Sequence, residues 1–149
     1  MENKKDLNQN LSHYQFSPES QYLDRKSARK KPQELLKHLI AFANADGGQL
    51  VIGIEDEKQD NIITGFKDGK SYPIDDFKKI DREMRETPLD LSFEEIPVVN
   101  HKGEDDLILV ISVELSSNRV IAAPNDDVYL RQGDESIKLS YEQRTQLSY

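Results

Sequence analysis

Leu50-Val51-Ile52-Gly53-Ile54 is an unbroken apolar run in a chain of 149 residues whose hydrophobic fraction is only 36%. A strand with one solvated face alternates apolar and polar positions, so a continuous β-branched run implies a strand covered on both faces. Gly53 inside it implies close approach by a neighbouring backbone. Ahead of the run, Leu35, Leu36, Leu39, Ile40 and Ala43 recur at helical spacing and form one apolar face. Pro32 suits the first turn of that helix, and Gly47-Gly48 offers a left-handed stop after Asn44 to Asp46.

Other elements follow from the same periodicities. Tyr22 to Lys26 reads as a short strand, and Ile62 to Gly65 as a weaker one. Ile74, Phe77, Ile80 and Met84 mark a second amphipathic helix ending before Pro88. Leu89, Leu91 and Phe93 alternate as in a half-buried strand, with Pro97 indicating an edge position. Asn100 to Asp106 reads as a hairpin loop into a central strand, Leu107 to Val113, with a further short strand at Val128 to Arg131. Ser140 and Gln143 have capping-box spacing ahead of a last helix. Residues 1–17 are polar and aperiodic, and read as an N-terminal arm or edge segment; residues 18–149 read as a single domain. The class is α+β: a mixed β-sheet with helices packed on it.

Composition excludes some chemistry. With no cysteine there are no disulfides, thiolate zinc sites or cysteine nucleophiles. No apolar stretch approaches the roughly 20 residues of a membrane span and no signal peptide is evident, so no membrane partner and a cytoplasmic location are expected. The net charge of -8 argues against a protein that coats duplex nucleic acid throughout. The charge is uneven, however: residues 1–50 carry 8 basic and 6 acidic side chains (+2), the remainder 12 and 22 (-10). Arg25, Lys26, Arg29, Lys30, Lys31 and Lys37 concentrate the positive charge, with Glu34 among them. Such a run suits either a solvated helix approach or phosphate contacts. Arg131, between a strand and a glycine turn, suits either backbone bracing or a phosphate contact.

His13, His38 and His101 are scattered, and no serine occupies a nucleophile elbow, which disfavours triad hydrolysis. Gly47-Gly48 follows a helix, whereas phosphate-cradling glycines follow a strand. Glu19, Asp24 and Asp56 flank the first strand and the end of the second, so neighbouring strands could bring them to one sheet edge as oxygen ligands for Mg²⁺ or Mn²⁺. An offset of five residues puts Glu19 and Asp24 on opposite strand faces unless the chain bends near Pro18 and Ser20. Lys26 lies on the face of Asp24.

Several blocks, in order, resemble the Schlafen-type AlbA domain, the second AlbA family. Glu19-Ser20-Gln21-Tyr22-Leu23-Asp24-Arg25-Lys26 resembles its E-S-x-x-x-E-F-K opening. Ala41-Phe42-Ala43-Asn44-Ala45-Asp46-Gly47-Gly48 resembles A-F-A-N-T-x-G-G, and Leu50 to Asp56 resembles the L-x-I-G-V-x-D strand. Thr64-Gly65-Phe66, Val128 to Gly133 and Ser140 to Gln143 match the later motifs. The resemblance implies a nucleic-acid-related role, often as an N-terminal module of transcriptional regulators. In Schlafens, paired lobes clamp RNA and three carboxylates form a metal-dependent nuclease site; Glu19, Asp24 and Asp56 fall on the matching positions, with Asp24 in place of Glu and Arg25 in place of an aromatic.

The leading expectation is a nucleic-acid-binding domain of a transcriptional regulator, with Arg25, Lys26, Arg29, Lys30, Lys31, Lys37 and Arg131 contacting the phosphates of DNA or RNA and no cofactor needed for binding. The rival expectation is an Mg²⁺- or Mn²⁺-dependent nuclease using Glu19, Asp24 and Asp56. A third is a protein-interaction module without nucleic-acid affinity. A homodimer is also expected, since one lobe is half a clamp, and the chain reads as a stand-alone or excised domain whose downstream partner is absent.

Overall fold

The computed structural model describes the backbone of residues 4–84, 88–117 and 119–147, and their side chains from Asn10 onward. A first helix, α1 (Lys4–Phe16), is followed by β1 (Leu23–Lys26), α2 (Pro32–Ala43) and β2 (Gly48–Ile52). A short helix α3 (Ile74–Lys78) precedes β3 (Leu91–Val99) and β4 (Asp105–Val113), and the chain closes with β5 (Tyr129–Gln132), β6 (Glu135–Lys138) and α4 (Tyr141–Leu147). Four strands form a mixed sheet in the order β1-β2-β4-β3, with β1 and β2 parallel and the other pairs antiparallel. β5 and β6 form a separate hairpin.

The parallel pair requires a crossover, and α2 supplies it. Leu35, Leu36, Leu39 and Phe42 of α2 bury against Leu50, Ile52, Leu109, Ile111 and Val113. The alternate residues Val51, Ile108 and Val110, with Leu23, Ile96 and Val98, form a second apolar layer on the far face. β2 is therefore covered on both sides, as its composition demands. Pro97 lies in β3, the edge strand, where its missing N–H breaks no internal ladder.

Gly47 has φ +79° and its N–H bonds to Phe42 O, ending α2. Gly48 serves packing: a Cβ there would enter the Phe42 ring. The capping box forms as expected, with Ser140 N donating to Gln143 Oε1 and Gln143 N to Ser140 Oγ.

Three expectations are corrected. Most of the polar arm is helix α1, and Leu11 and Tyr14 pack on the second apolar layer. Ile62 to Gly65 is no strand; it contributes one bridge, Ile54 with Ile63. The second amphipathic helix stops at Lys78 and continues as turns to Met84, while residues 85–87 lie outside the described chain. Among the described residues, no helix is long and apolar enough to cross a membrane.

Candidate nucleic-acid interface and the polar cluster behind it

Alternation along β1 sends Asp24 and Lys26 toward α2 and Arg25 toward α1. This separates the basic run into groups with different surroundings. Arg25 is buried, and its guanidinium donates to His13, Tyr14 and Ser17 carbonyls. These lie at the end of α1 and in the turn after it; His13 O also accepts from Ser17 N, whereas the residue four beyond Tyr14 is Pro18, which has no N–H to give. Arg25 thus caps a helix and is withdrawn from any phosphate.

Arg131 is likewise interior, with a fully buried side chain. Its Nε donates to Ser20 O at 3.0 Å and Gly133 O at 3.1 Å, and its Nη2 to Leu23 O at 3.1 Å. Nη1 reaches Asp24 Oδ2 at 2.7 Å and Ser136 Oγ at 3.0 Å, while the guanidinium lies 4.7 Å from the centre of the Phe42 ring. Of the two readings open to Arg131, the structure selects the bracing one; the phosphate contact is corrected because no part of the side chain reaches solvent. Lys26 places Nζ 2.9 Å from Asp24 Oδ1, a close ion pair at a partly open position.

Asp24 is the centre of this cluster. Burial alone would raise its pKa, but a hydrogen bond from Glu19 and the charges of Lys26 and His38 bring it down to about 2. Glu19 moves the other way, to about 7, because burial and the neighbouring Asp24 both disfavour a second negative charge. Of the two, Glu19 is the carboxyl that takes up a proton more readily, and its Oε2 accepts from Arg25 N at 3.1 Å. The chain does turn near Pro18 and Ser20, since the Glu19 carboxyl comes back onto the backbone of β1 at Arg25, next to Asp24 in the chain. His38 Nδ1 lies 2.8 Å from Ser136 Oγ and 3.7 Å from Asp24 Oδ2, and burial lowers its pKa to about 4. A serine–histidine–aspartate relay needs both ring nitrogens engaged. Here one nitrogen faces both partners, so no relay is built.

Asp56 does not join the pair. Asp24 aligns with Leu50 in the parallel register, so Asp56 lies beyond the far end of β2, exposed at the start of a single turn over Glu57–Gln59. Among the described residues no three His, Cys, Asp or Glu side chains stand together as metal ligands. Asp24 Oδ2 is bonded to Arg131, and Lys26 Nζ stands 2.9 Å from Oδ1, so Asp24 is committed to cations of the protein itself. With Asp56 elsewhere, the set as placed does not bring together the several oxygens that Mg²⁺ or Mn²⁺ require.

The other members of the run face outward. Arg29 is exposed and paired with Asp68. Lys30, Lys31 and Lys37 are exposed, and among the described residues none has an ion-pair partner. Lys31 and Lys37 border a groove of about 810 Å³ between α2 and the segment 72–83, with Lys79 and Arg82 on the opposite wall. These two cations escaped sequence reasoning, although they flank Ile80 in the segment that supplies the groove's other wall.

The family model described as Schlafen, AlbA_2 matches residues 19–140. The chain belongs to the Schlafen AlbA_2 family. Membership puts it among nucleic-acid-related domains. Its AlbA_2 architecture is similar to a crystal structure of the DIP2311 protein from Corynebacterium diphtheriae, with a TM-score of 0.58 and 18% identity. That likeness covers 99% of this AlbA_2 chain and 35% of the other, so the chain spans about a third of that protein's length, and the similarity is one of fold. No curated protein matches the sequence.

Proposed function

We propose that this AlbA_2 domain binds nucleic acid through its phosphate backbone, with Lys30, Lys31 and Lys37 as the principal contacts and Lys79 and Arg82 across the groove. The observation that carries this reading is the sorting of the basic run. Arg25 and Arg131 are committed inside and Lys26 is paired with Asp24, whereas Lys30 and Lys31 just before α2 and Lys37 within it are exposed and, among the described residues, without ion-pair partners in a protein of net charge -8. Contacts of this kind fix a backbone and carry no sequence information. Service within a transcriptional regulator, implied by the family resemblance, belongs to the same reading.

The test is a mobility shift titrated with salt, using the wild type and a triple Lys30→Gln, Lys31→Gln, Lys37→Gln variant. Removing one lysine from a phosphate reduces the slope of log affinity against log salt by about 0.7 to 0.9, so the variant's slope falls by about 2 to 3. An unchanged slope overturns the assignment. The nuclease reading lacks a comparable observation, because Asp56 stands apart from Glu19 and Asp24.

A further inference from the structure

We propose that the groove between α2 and the segment 72–83 takes an unpaired base, so that the domain selects single-stranded over duplex nucleic acid. This rests on the nucleic-acid reading above and specifies the form of its ligand.

The walls and floor of the groove differ in chemistry. Its floor is apolar, with Leu36 and Ile80 buried and Pro124 beside them. The half-buried rings of Tyr72 and Tyr129 line the same space. The charged side chains are exposed and belong to the rim. Four are cationic (Lys31, Lys37, Lys79, Arg82) and three are acidic (Glu34, Asp76, Glu83), a balance of only +1.

Those features constrain the ligand. A phosphate chain threaded along the groove would meet the three carboxylates and gain little from so small a balance. A base inserted from a strand outside avoids that cost. Its phosphates remain with Lys30, Lys31 and Lys37, its face lies against tyrosine and aliphatic surface, and its N–H groups, ring or exocyclic, can donate to rim carboxylates. A volume of about 810 Å³ lies within the usual range for small-ligand sites. A duplex keeps its bases stacked inside and presents a convex backbone, so it cannot fill a concave apolar floor. The same lysines would hold a duplex only by its phosphates.

The experiment measures fluorescence anisotropy of labelled oligo-dT and oligo-U against a duplex of equal length, at two salt concentrations. Wild type is expected to bind the single strands about tenfold more tightly than duplex, within the range measured for one stacked base. Tyr72→Ala should remove that preference while leaving the salt slope in place, and Tyr72→Phe, which keeps the ring, should restore it. A single strand carrying 2-aminopurine reports on wild-type protein directly: its emission changes on binding when a base enters the groove. Equal affinity for single strand and duplex, or an undiminished preference in folded Tyr72→Ala, overturns the inference while the backbone-binding reading stands. An unchanged 2-aminopurine signal at saturation also overturns it. Failure of the wild type to bind any of the three probes overturns both.

Discussion

Replacing Arg131 with methionine tests whether the buried guanidinium is a structural brace. The substitution keeps a long apolar stem over Phe42 and deletes the donors to Ser20, Leu23 and Gly133 carbonyls, to Ser136 and to Asp24. Removing one partner of a buried ion pair costs about 3–5 kcal/mol, because the remaining charge keeps its desolvation penalty. Asp24 retains Lys26 and the proton of Glu19, which pulls the figure down, while three carbonyls lose a donor, which pulls it up. The expected loss is therefore about 4 kcal/mol, read as a lower urea midpoint at unchanged slope. The double variant Asp24→Leu, Arg131→Met removes both charges and should recover much of that loss. The affinity of the folded protein for nucleic acid should keep its salt dependence in the single variant. A loss below about 1 kcal/mol, or a reduced salt slope, would refute the bracing role and return Arg131 to the phosphate-contacting set.

The Glu19–Asp24 pair confers a pH dependence on stability. Glu19 has a folded pKa of about 7, above its ordinary value, so its contribution is complete below pH 4.5 and is lost as pH rises through 7. Asp24, lowered to about 2, contributes above pH 3.8 and loses that contribution as pH falls through 2. Glu19→Gln donates permanently where the protonated acid does, so it should abolish the alkaline decline, about 1 kcal/mol between pH 5 and 8 once screening at this half-open position is allowed for. Equal alkaline decline in both proteins, measured by urea unfolding across that range, contradicts the shared proton. Gly48→Ala should cost about 2 kcal/mol by overpacking the Phe42 ring, lowering the thermal midpoint. A neutral result would mean that the ring is not seated against the glycine.

The elements that sequence periodicity located are those whose burial it encodes. The α2 stripe, the two-sided β2 run and the hairpin before β4 bury apolar groups at regular spacing, and the sheet follows. Helix α1 escaped because Leu11 and Tyr14 are sparse anchors; Arg25, bonded to its last carbonyls, does part of the work that an apolar stripe does elsewhere. β6, Glu135–Lys138, is too polar to signal a strand and exists as the partner of β5. In the candidate site, charge type was legible and charge destination was not. Arg25 and Lys30 look alike in a sequence, and only the strand's alternation and the helix end beside it separate an internal cap from an exposed cation. The pairing of Glu19 with Asp24 could be anticipated from the bend at Pro18, but the distance to Asp56 depended on the parallel register.

Asp24 and Arg131 are 107 residues apart in the chain. β1, α2 and β2 can associate early, since their contacts are local, yet β1 is left with a buried carboxylate until the β5–β6 hairpin arrives. Closing so long a loop is entropically costly before the contact rewards it, which places this docking late and slows folding. During synthesis at about 5–20 residues per second, the interval between the emergence of Asp24 and of Arg131 is several seconds or more. Over that interval Asp24 has Lys26 beside it and lacks the Arg131 guanidinium. The arrival of the hairpin therefore sets when the brace between β1 and β5 is completed.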